Sequence, residues 1–265
     1  MRQLLNINRV RPKKSLGQNF ITDNKFLLKM NDHIESSKRN IIIEIGPGKG
    51  ALTDYLSKKN FNKLFLIEKD NNLAAQLKLK YEKIKNIFII NDDALTFDYS
   101  IFKSNEEKVI IYGNLPFNIS TNLLTKWISD NEWPSFFNKM VLMFQREVAD
   151  RILASHNNKK YGRLSVLVQS RCDVKKLLDA PASIFSPKPK VDGTVIQLKP
   201  IDNYSEINFN NLEKLLEQSF SSRRKKIKNT LKKHKQSLTK LDIDENLRPE
   251  NLSVSNYCDL VKLIN

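Results

Sequence analysis

Short apolar runs at residues 41–45, 64–67, 87–90 and 109–112 recur at similar spacing along the first half of the chain. Each is rich in Ile, Val, Leu or Phe and short enough to be a β-strand. Segments with helical spacing lie between the first three. One covers 51–58. The other covers 72–83, where Leu73, Gln76, Leu77 and Lys80 repeat at helical intervals. Strands that alternate with helices predict a parallel sheet covered on both faces. Residues 141–144 read as a fifth strand, with a helix at 146–153 behind it. Residues 164–169 fit helix and strand alike. Two later strands are predicted at 174–178 and 194–198, with antiparallel pairing as the arrangement to test. Pro187 and Pro189 make 185–192 an ordered loop, because proline disfavours helix and central strand.

The pattern changes near residue 208. Leu212, Leu215, Leu216 and Phe220 form one apolar stripe, Ile227 and Leu231 a second on a very basic helix, and Leu260, Val261 and Ile264 a last. The 265 residues therefore divide into an N-terminal arm with an α/β domain, 1–203, and a small helical domain, 204–265.

The formal net charge is +16, which points to a polyanionic partner, either nucleic acid or an anionic membrane surface. The positive charge is clustered. The first 22 residues hold Arg2, Arg9, Arg11, Lys13 and Lys14 without an acid, and the run from Arg223 to Lys235 holds eight Lys or Arg, again without an acid. Cys172 and Cys258 stand far apart in no paired motif, as in a reducing compartment. No apolar run approaches membrane-spanning length, and the basic N-terminus lacks an apolar signal core. These features predict a soluble cytoplasmic protein. His33, His156 and His234 are scattered, so no metal site is expected.

Candidate chemistry sits at the ends of the strands. Glu44-Ile45-Gly46-Pro47-Gly48-Lys49-Gly50 falls where the first strand turns into the first helix, and glycines there let backbone pass beneath a ligand. Glu68 follows the second strand, where a carboxylate can accept both ribose hydroxyls. Asp93 or its neighbour Asp92, which spacing alone does not separate, follows the third and can accept from an adenine amino group. A dinucleotide-binding oxidoreductase would use a similar glycine turn and acid. Asn114-Leu115-Pro116-Phe117 behind the fourth strand suits something else. An amide oxygen, a carbonyl aimed by proline and an aromatic face together grip the exocyclic amine of a flat heterocycle. Hydrogen bonds accepted by the Asn114 side chain and the Leu115 carbonyl favour a pyramidal, nucleophilic nitrogen, while Phe117 stacks on a base drawn out of its helix.

With these residues in place the chain resembles the rRNA adenine N6,N6-dimethyltransferases of the small-subunit, kasugamycin-sensitivity type. The shared motifs run from about residue 11 to 259. They include Lys14-Ser-Leu-Gly-Gln-Asn-Phe20, Glu44 to Gly48, Ile67-Glu68, Asp93-Ala94, Gly113-Asn-Leu-Pro-Phe-Asn-Ile-Ser120, Gln145-Arg-Glu-Val148, Tyr161-Gly-Arg-Leu-Ser165, Arg223 to Leu231 and Arg248-Pro-Glu-Asn-Leu252. The resemblance implies a Rossmann-like methyltransferase domain plus a small helical domain. It implies an S-adenosylmethionine site at Asn19, Ile21, Gly46, Glu68, Asp93 and Asn114, with Asn19 and Ile21 on an N-terminal segment that closes over the cofactor. It also implies a target of two adjacent adenosines in a hairpin loop near the 3′ end of 16S rRNA. Phe117 stands where the family often has Tyr, and Lys49-Gly50 where it usually has small or apolar residues.

Arg223, Arg224, Lys225, Lys226 and Lys228 are expected on one helix as RNA phosphate contacts, with Lys188 and Lys190 in the proline loop as further candidates. The expected state is a monomer on the small ribosomal subunit. Two related readings stand beside this one. The first is a large-subunit rRNA adenine methylase, which shares the catalytic turn but not the C-terminal motifs. The second is an assembly factor that binds the small subunit without methylating it.

Overall fold

The structure is a computed structural model that describes residues 12–13, 16–103, 106–129 and 133–264. Arg2, Arg9, Arg11 and Lys14 of the basic N-terminal segment lie outside the described residues. In chain order the elements are β1 (Phe20–Ile21), α1 (Asn24–Asp32), β2 (Asn40–Ile45), α2 (Thr53–Leu56), β3 (Lys63–Ile67), α3 (Asn71–Tyr81), β4 (Ile87–Ile90) and β5 (Lys108–Asn114). They continue with α4 (Ser120–Ile128), β6 (Lys139–Gln145), α5 (Arg146–Leu153), α6 (Arg163–Gln169), β7 (Cys172–Ala180), β8 (Phe185–Ser186) and β9 (Gly193–Pro200). Helices α7 (Phe209–Ser219), α8 (Ile227–Thr230), α9 (Lys235–Lys240) and α10 (Val254–Ile264) complete the chain.

Seven strands form one sheet in the order β4-β3-β2-β5-β6-β9-β7. The pairs β2–β3, β3–β4, β2–β5 and β5–β6 are all parallel. The four apolar runs are thus the four strands on which the site is built. Strand β2 is buried along its whole length, as a central parallel strand must be when both faces are covered. The chain winds outward from β2 through β3 to β4, then returns to place β5 on the other side. The β2–β5 boundary is therefore the topological switch point, where open α/β sheets leave a crevice at their carboxyl ends. Gly113 permits the close approach there: a Cβ on it would lie 2.7 Å from the Ile45 carbonyl oxygen.

Helix starts follow from short acids. Asp23 caps α1 by accepting from Phe26 N–H at 2.8 Å, and Asp70 caps α3 by accepting from Asn72 N–H at 3.0 Å. The predicted helix at 51–58 contracts to α2, four residues behind a turn of glycines. The ambiguous run at 164–169 is helix α6. The proline loop carries more order than predicted: Phe185 and Ser186 form β8, which pairs antiparallel with β1, Phe20 opposite Ser186 and Ile21 opposite Phe185. Strands β7 and β9 are neighbours in the sheet.

The chain packs as two compact units. The first holds Met1–Leu123, Phe136–Arg146 and Lys176–Gln197; the second holds Leu124–Ser135, Glu147–Lys175 and Leu198–Asn265. The expected boundary near residue 203 lies close to one of several crossings, because residues 147–175 belong to the unit of the C-terminal helices, with α6 packed on α7 and α10. In the first unit Ile42, Leu64, Leu66, Ile110, Val141 and Met143 of the strands share a core with Phe26, Leu27 and Met30 of α1.

In the second unit α7 and α10 pack together. The buried Ser219 hydroxyl meets Tyr257 Oη at 2.8 Å, and Tyr257 donates to the Pro249 carbonyl at 2.8 Å. Arg171, 1% exposed, lies over the rings of Trp133 and Phe209, at 4.8 and 5.3 Å from their centres. The basic run is not one helix. It passes through the 3-10 turn Phe220–Ser222, a turn at 223–225 and the four-residue α8. Four lysines and arginines in a row repel one another, and no acid at i+4 relieves them within a helix.

Candidate active site

A pocket of about 370 Å³ opens at the carboxyl ends of β2, β3, β4 and β5, within the first unit. Its volume suits a ligand of nucleoside size. Its wall includes Asn19, Ile21, Gly46, Glu68, Asp93, Asn114, Leu115, Pro116 and Phe117. All the residues expected to bind cofactor or act in catalysis therefore line one cavity.

The floor is the glycine turn. Gly46 N–H donates to the Ile67 carbonyl at 3.0 Å, tying the end of β2 to β3. Gly48 has φ +60°, and a Cβ there would meet the Phe20 ring at 2.8 Å. Only glycine accommodates both demands.

A strap, residues 17–21, supplies one side. Its β1 end is held by β8, and Thr22 N–H and Oγ1 both donate to the Ile184 carbonyl, at 2.8 and 3.0 Å. Its other end docks on Asp70, whose side chain is fully buried. Lys13 Nζ lies 2.9 Å from Asp70 Oδ2, and Gln18 Nε2 donates to the same oxygen at 3.3 Å. Burial raises the Asp70 pKa, but Lys13, the Asn72 N–H and Gln18 together hold it below the ordinary carboxylate value. Lys49 extends its ammonium over the Phe20 ring, 5.2 Å from the centre, so the glycine turn contacts the strap.

Glu68 is 5% exposed. Oε2 accepts from Gly48 N–H at 3.0 Å and Oε1 from Asp70 N–H at 2.8 Å. Burial pushes its pKa up, and these backbone donors partly offset that. Its position thus links the glycine turn to the start of α3. Asp93 accepts from Leu95 N–H at 3.0 Å and pairs with Lys69 at 2.7 Å. Asp92 also lines the pocket. Glu44, 1% exposed, accepts from Thr53 Oγ1 at 2.7 Å, and burial pushes its carboxyl up to about 8.

At the tip of β5 the Asn114 side-chain nitrogen donates to the Asn19 carbonyl at 3.0 Å. Leu115 is buried, Pro116 and Phe117 half-buried. Ser120 Oγ donates to the Phe117 carbonyl at 3.2 Å, closing the turn into α4. Among the described residues no three His, Cys, Asp or Glu side chains gather as a metal site.

Sequence reading quoted Gln18 and Glu44 only as members of their motifs, without a role of their own, and passed over Lys69 and Asp70. Asp70 carried a usable signal, an N-cap acid directly before a helical run. The burial of Glu44 and the Lys69–Asp93 pair had none, because both depend on which strand tips become neighbours.

The basic candidates differ among themselves. Arg223 donates through Nη2 to the Lys159 and Tyr161 carbonyls at 2.8 and 2.7 Å and pairs with Glu250 at 3.0 Å. It braces the second unit internally. Arg224 and Lys225 are exposed, and Lys226 and Lys228 both donate to Asn246 Oδ1, at 3.2 and 3.0 Å. Lys188 and Lys190 are exposed beyond β8.

The model of the family "Ribosomal RNA adenine dimethylase" matches residues 9–265. A ribosomal RNA small subunit methyltransferase A from Pelagibacter ubique is 43% identical over 96% of this chain and 97% of its own length. The protein of that name from Ehrlichia chaffeensis is 40% identical over 98% and 99%. Among solved structures, a dimethyladenosine transferase from Plasmodium falciparum superposes with TM-score 0.82 and 26% identity, covering 93% of this chain and 97% of that one. A 23S rRNA methyltransferase reaches TM-score 0.67 at 21% identity, covering 92% and 98%, a likeness of fold. Matched nearly end to end by the family model and by these relatives, the chain belongs to the ribosomal RNA adenine dimethylase family.

Proposed function

We propose that the pocket binds S-adenosylmethionine and that the chain transfers its methyl group to the N6 amines of two adjacent adenosines in a hairpin loop near the 3′ end of 16S rRNA, giving N6,N6-dimethyladenosine. The observation that carries this reading is the placement of the Asn114 turn on the same cavity wall as Gly46, Glu68 and Asp93. A dinucleotide oxidoreductase would need the glycine turn and the acid but has no use for Asn-Leu-Pro-Phe.

The residues present fit the cofactor. Glu68 would accept the ribose hydroxyls and Asp93 the adenine amino hydrogen, with the 46–48 backbone, Asn19 and Ile21 completing the cofactor wall. When bound, the cofactor would supply a methyl sulfonium whose sulfur keeps the S–C bonding pair and departs as a neutral thioether. The protein's part is therefore alignment. Asn114 Oδ1 and the Leu115 carbonyl accept from the two amine hydrogens, which turns the nitrogen lone pair toward the donor. Phe117 stacks on the flipped base. No strong base is required, because the amine sheds its proton readily once alkylated.

Arg224, Lys225, Lys226 and Lys228, with Lys188 and Lys190, are the proposed phosphate contacts. Such contacts position RNA while its folded shape selects the target. No helix among the described residues is long and apolar enough to cross a membrane, and the proposed setting is the cytoplasm, with a monomer acting on the small subunit.

The test is methyl transfer from labelled S-adenosylmethionine to small subunits that lack dimethyladenosine, read by mass spectrometry of the nucleosides. Dimethyladenosine at two adjacent 3′-end positions is expected. Binding of cofactor and subunit without transfer would overturn the catalytic reading in favour of an assembly factor.

A further inference from the structure

Lys69 and Asp93 meet across the tips of β3 and β4. Lys69 Nζ lies 2.7 Å from Asp93 Oδ2, with the two side chains 58% and 25% exposed. The other carboxylate oxygen of Asp93 accepts from Leu95 N–H, and its own N–H is held by the Asp92 carboxylate at 2.7 Å. Asn91 braces both tips by donating to the Glu68 carbonyl at 2.9 Å and the Lys69 carbonyl at 3.5 Å. Lys69, Asp92 and Asp93 all line the pocket. An ion pair this exposed contributes little to stability, so its placement on the pocket wall asks for another reason.

We propose that Lys69 is a positioning residue for purine selection: it holds the Asp93 carboxylate aimed into the pocket, so that the pocket prefers a 6-amino purine to a 6-oxo purine. The inference rests on the reading of Asp93 as the acceptor of the adenine amino hydrogen. A carboxylate has about four acceptor positions, so Asp93 can take the purine amine in addition to Leu95 and Lys69. A 6-oxo group would set acceptor against acceptor, and a site built around such a hydrogen bond rejects the mismatched ligand strongly. With Lys69 gone, the carboxylate keeps its anchor at Leu95 but loses the ion pair at its second oxygen.

Calorimetric titration of the full chain with S-adenosylhomocysteine and with S-inosylhomocysteine tests this. The wild type should prefer the adenosyl ligand by at least about tenfold, the worth of one charge-assisted hydrogen bond. Lys69→Met keeps most of the stem and loses the charge. It should narrow the preference by about three- to tenfold through weaker adenosyl binding, and Lys69→Arg should restore it. An unchanged preference in Lys69→Met overturns the proposal, as does a wider one, which would mean that Lys69 serves the 6-oxo group. Asp93→Asn separates the two levels of the argument: loss of the preference there supports the reading of Asp93. Equal binding of both ligands by the wild type, or a preference that survives Asp93→Asn, overturns that reading itself.

Discussion

The side-chain nitrogen of Asn114 is anchored on the main-chain carbonyl of Asn19. That contact assigns the amide: its nitrogen is committed to the strap, and its oxygen is the acceptor left for an amine. Asn114→Ala removes both. Transfer should fall by at least about a hundredfold, the usual cost of losing one preorganised contact to a reacting group. Cofactor affinity should change only a few-fold, and single-turnover kinetics beside calorimetry separates the two. Normal turnover would refute the assignment.

Glu68 should show the opposite division. Its carboxylate serves two backbone N–H groups besides the proposed ribose contact. Glu68→Ala strands both donors, and a buried unpaired donor costs about 1–3 kcal/mol. The variant is expected to lose thermal stability and to bind S-adenosylhomocysteine at least about tenfold more weakly. Intact cofactor binding in a destabilised variant would leave Glu68 a purely structural role.

Glu44 makes stability depend on pH. Burial holds its folded pKa at about 8 against a reference of 4.5. Between those values the folded state binds more protons than the unfolded chain, so stability falls as pH rises through that window. Glu44→Gln keeps an acceptor for Thr53 and removes the titration. It should flatten the dependence and exceed the wild type at pH 9 by on the order of 2 kcal/mol. Parallel denaturation midpoints for the two proteins from pH 5 to 9 would count against this.

Arg223 and Arg224 are adjacent, yet their variants should fail differently. Arg223→Ala frees two carbonyls and Glu250 and should lower the melting temperature by several degrees. Arg224→Ala and Lys225→Ala should leave melting unchanged, weaken small-subunit binding and reduce its salt slope by about one each. A salt slope untouched by either change would remove them from the RNA interface.

Period and strand-tip position were legible in the chain. Residues 41–45, 64–67, 87–90 and 109–112 lie within β2 to β5, and Glu68, Asp93 and Asn114 converge as their positions beside those strands imply, whereas Asn19 was expected only from the family resemblance. Period misled at 223–231, where the Ile227 and Leu231 spacing suggested one continuous basic helix. There the backbone turns, and the first arginine is spent on internal carbonyls. The β1–β8 ladder was illegible for a different reason. Two-residue strands carry no period, and their pairing depends on contacts far apart in the chain.

That ladder has a consequence for synthesis. Thr22 and Ile184, which it brings together, are 162 residues apart. As the chain emerges from the ribosome, the strap that roofs the pocket is made early and has no strand to dock on until β8 appears. At about 5–20 residues per second the wait lasts on the order of ten seconds or more. The glycine floor, Glu68, Asp93 and Asn114 can all be in place before the roof closes, so competence to enclose a cofactor arrives as a late event in the birth of the first unit.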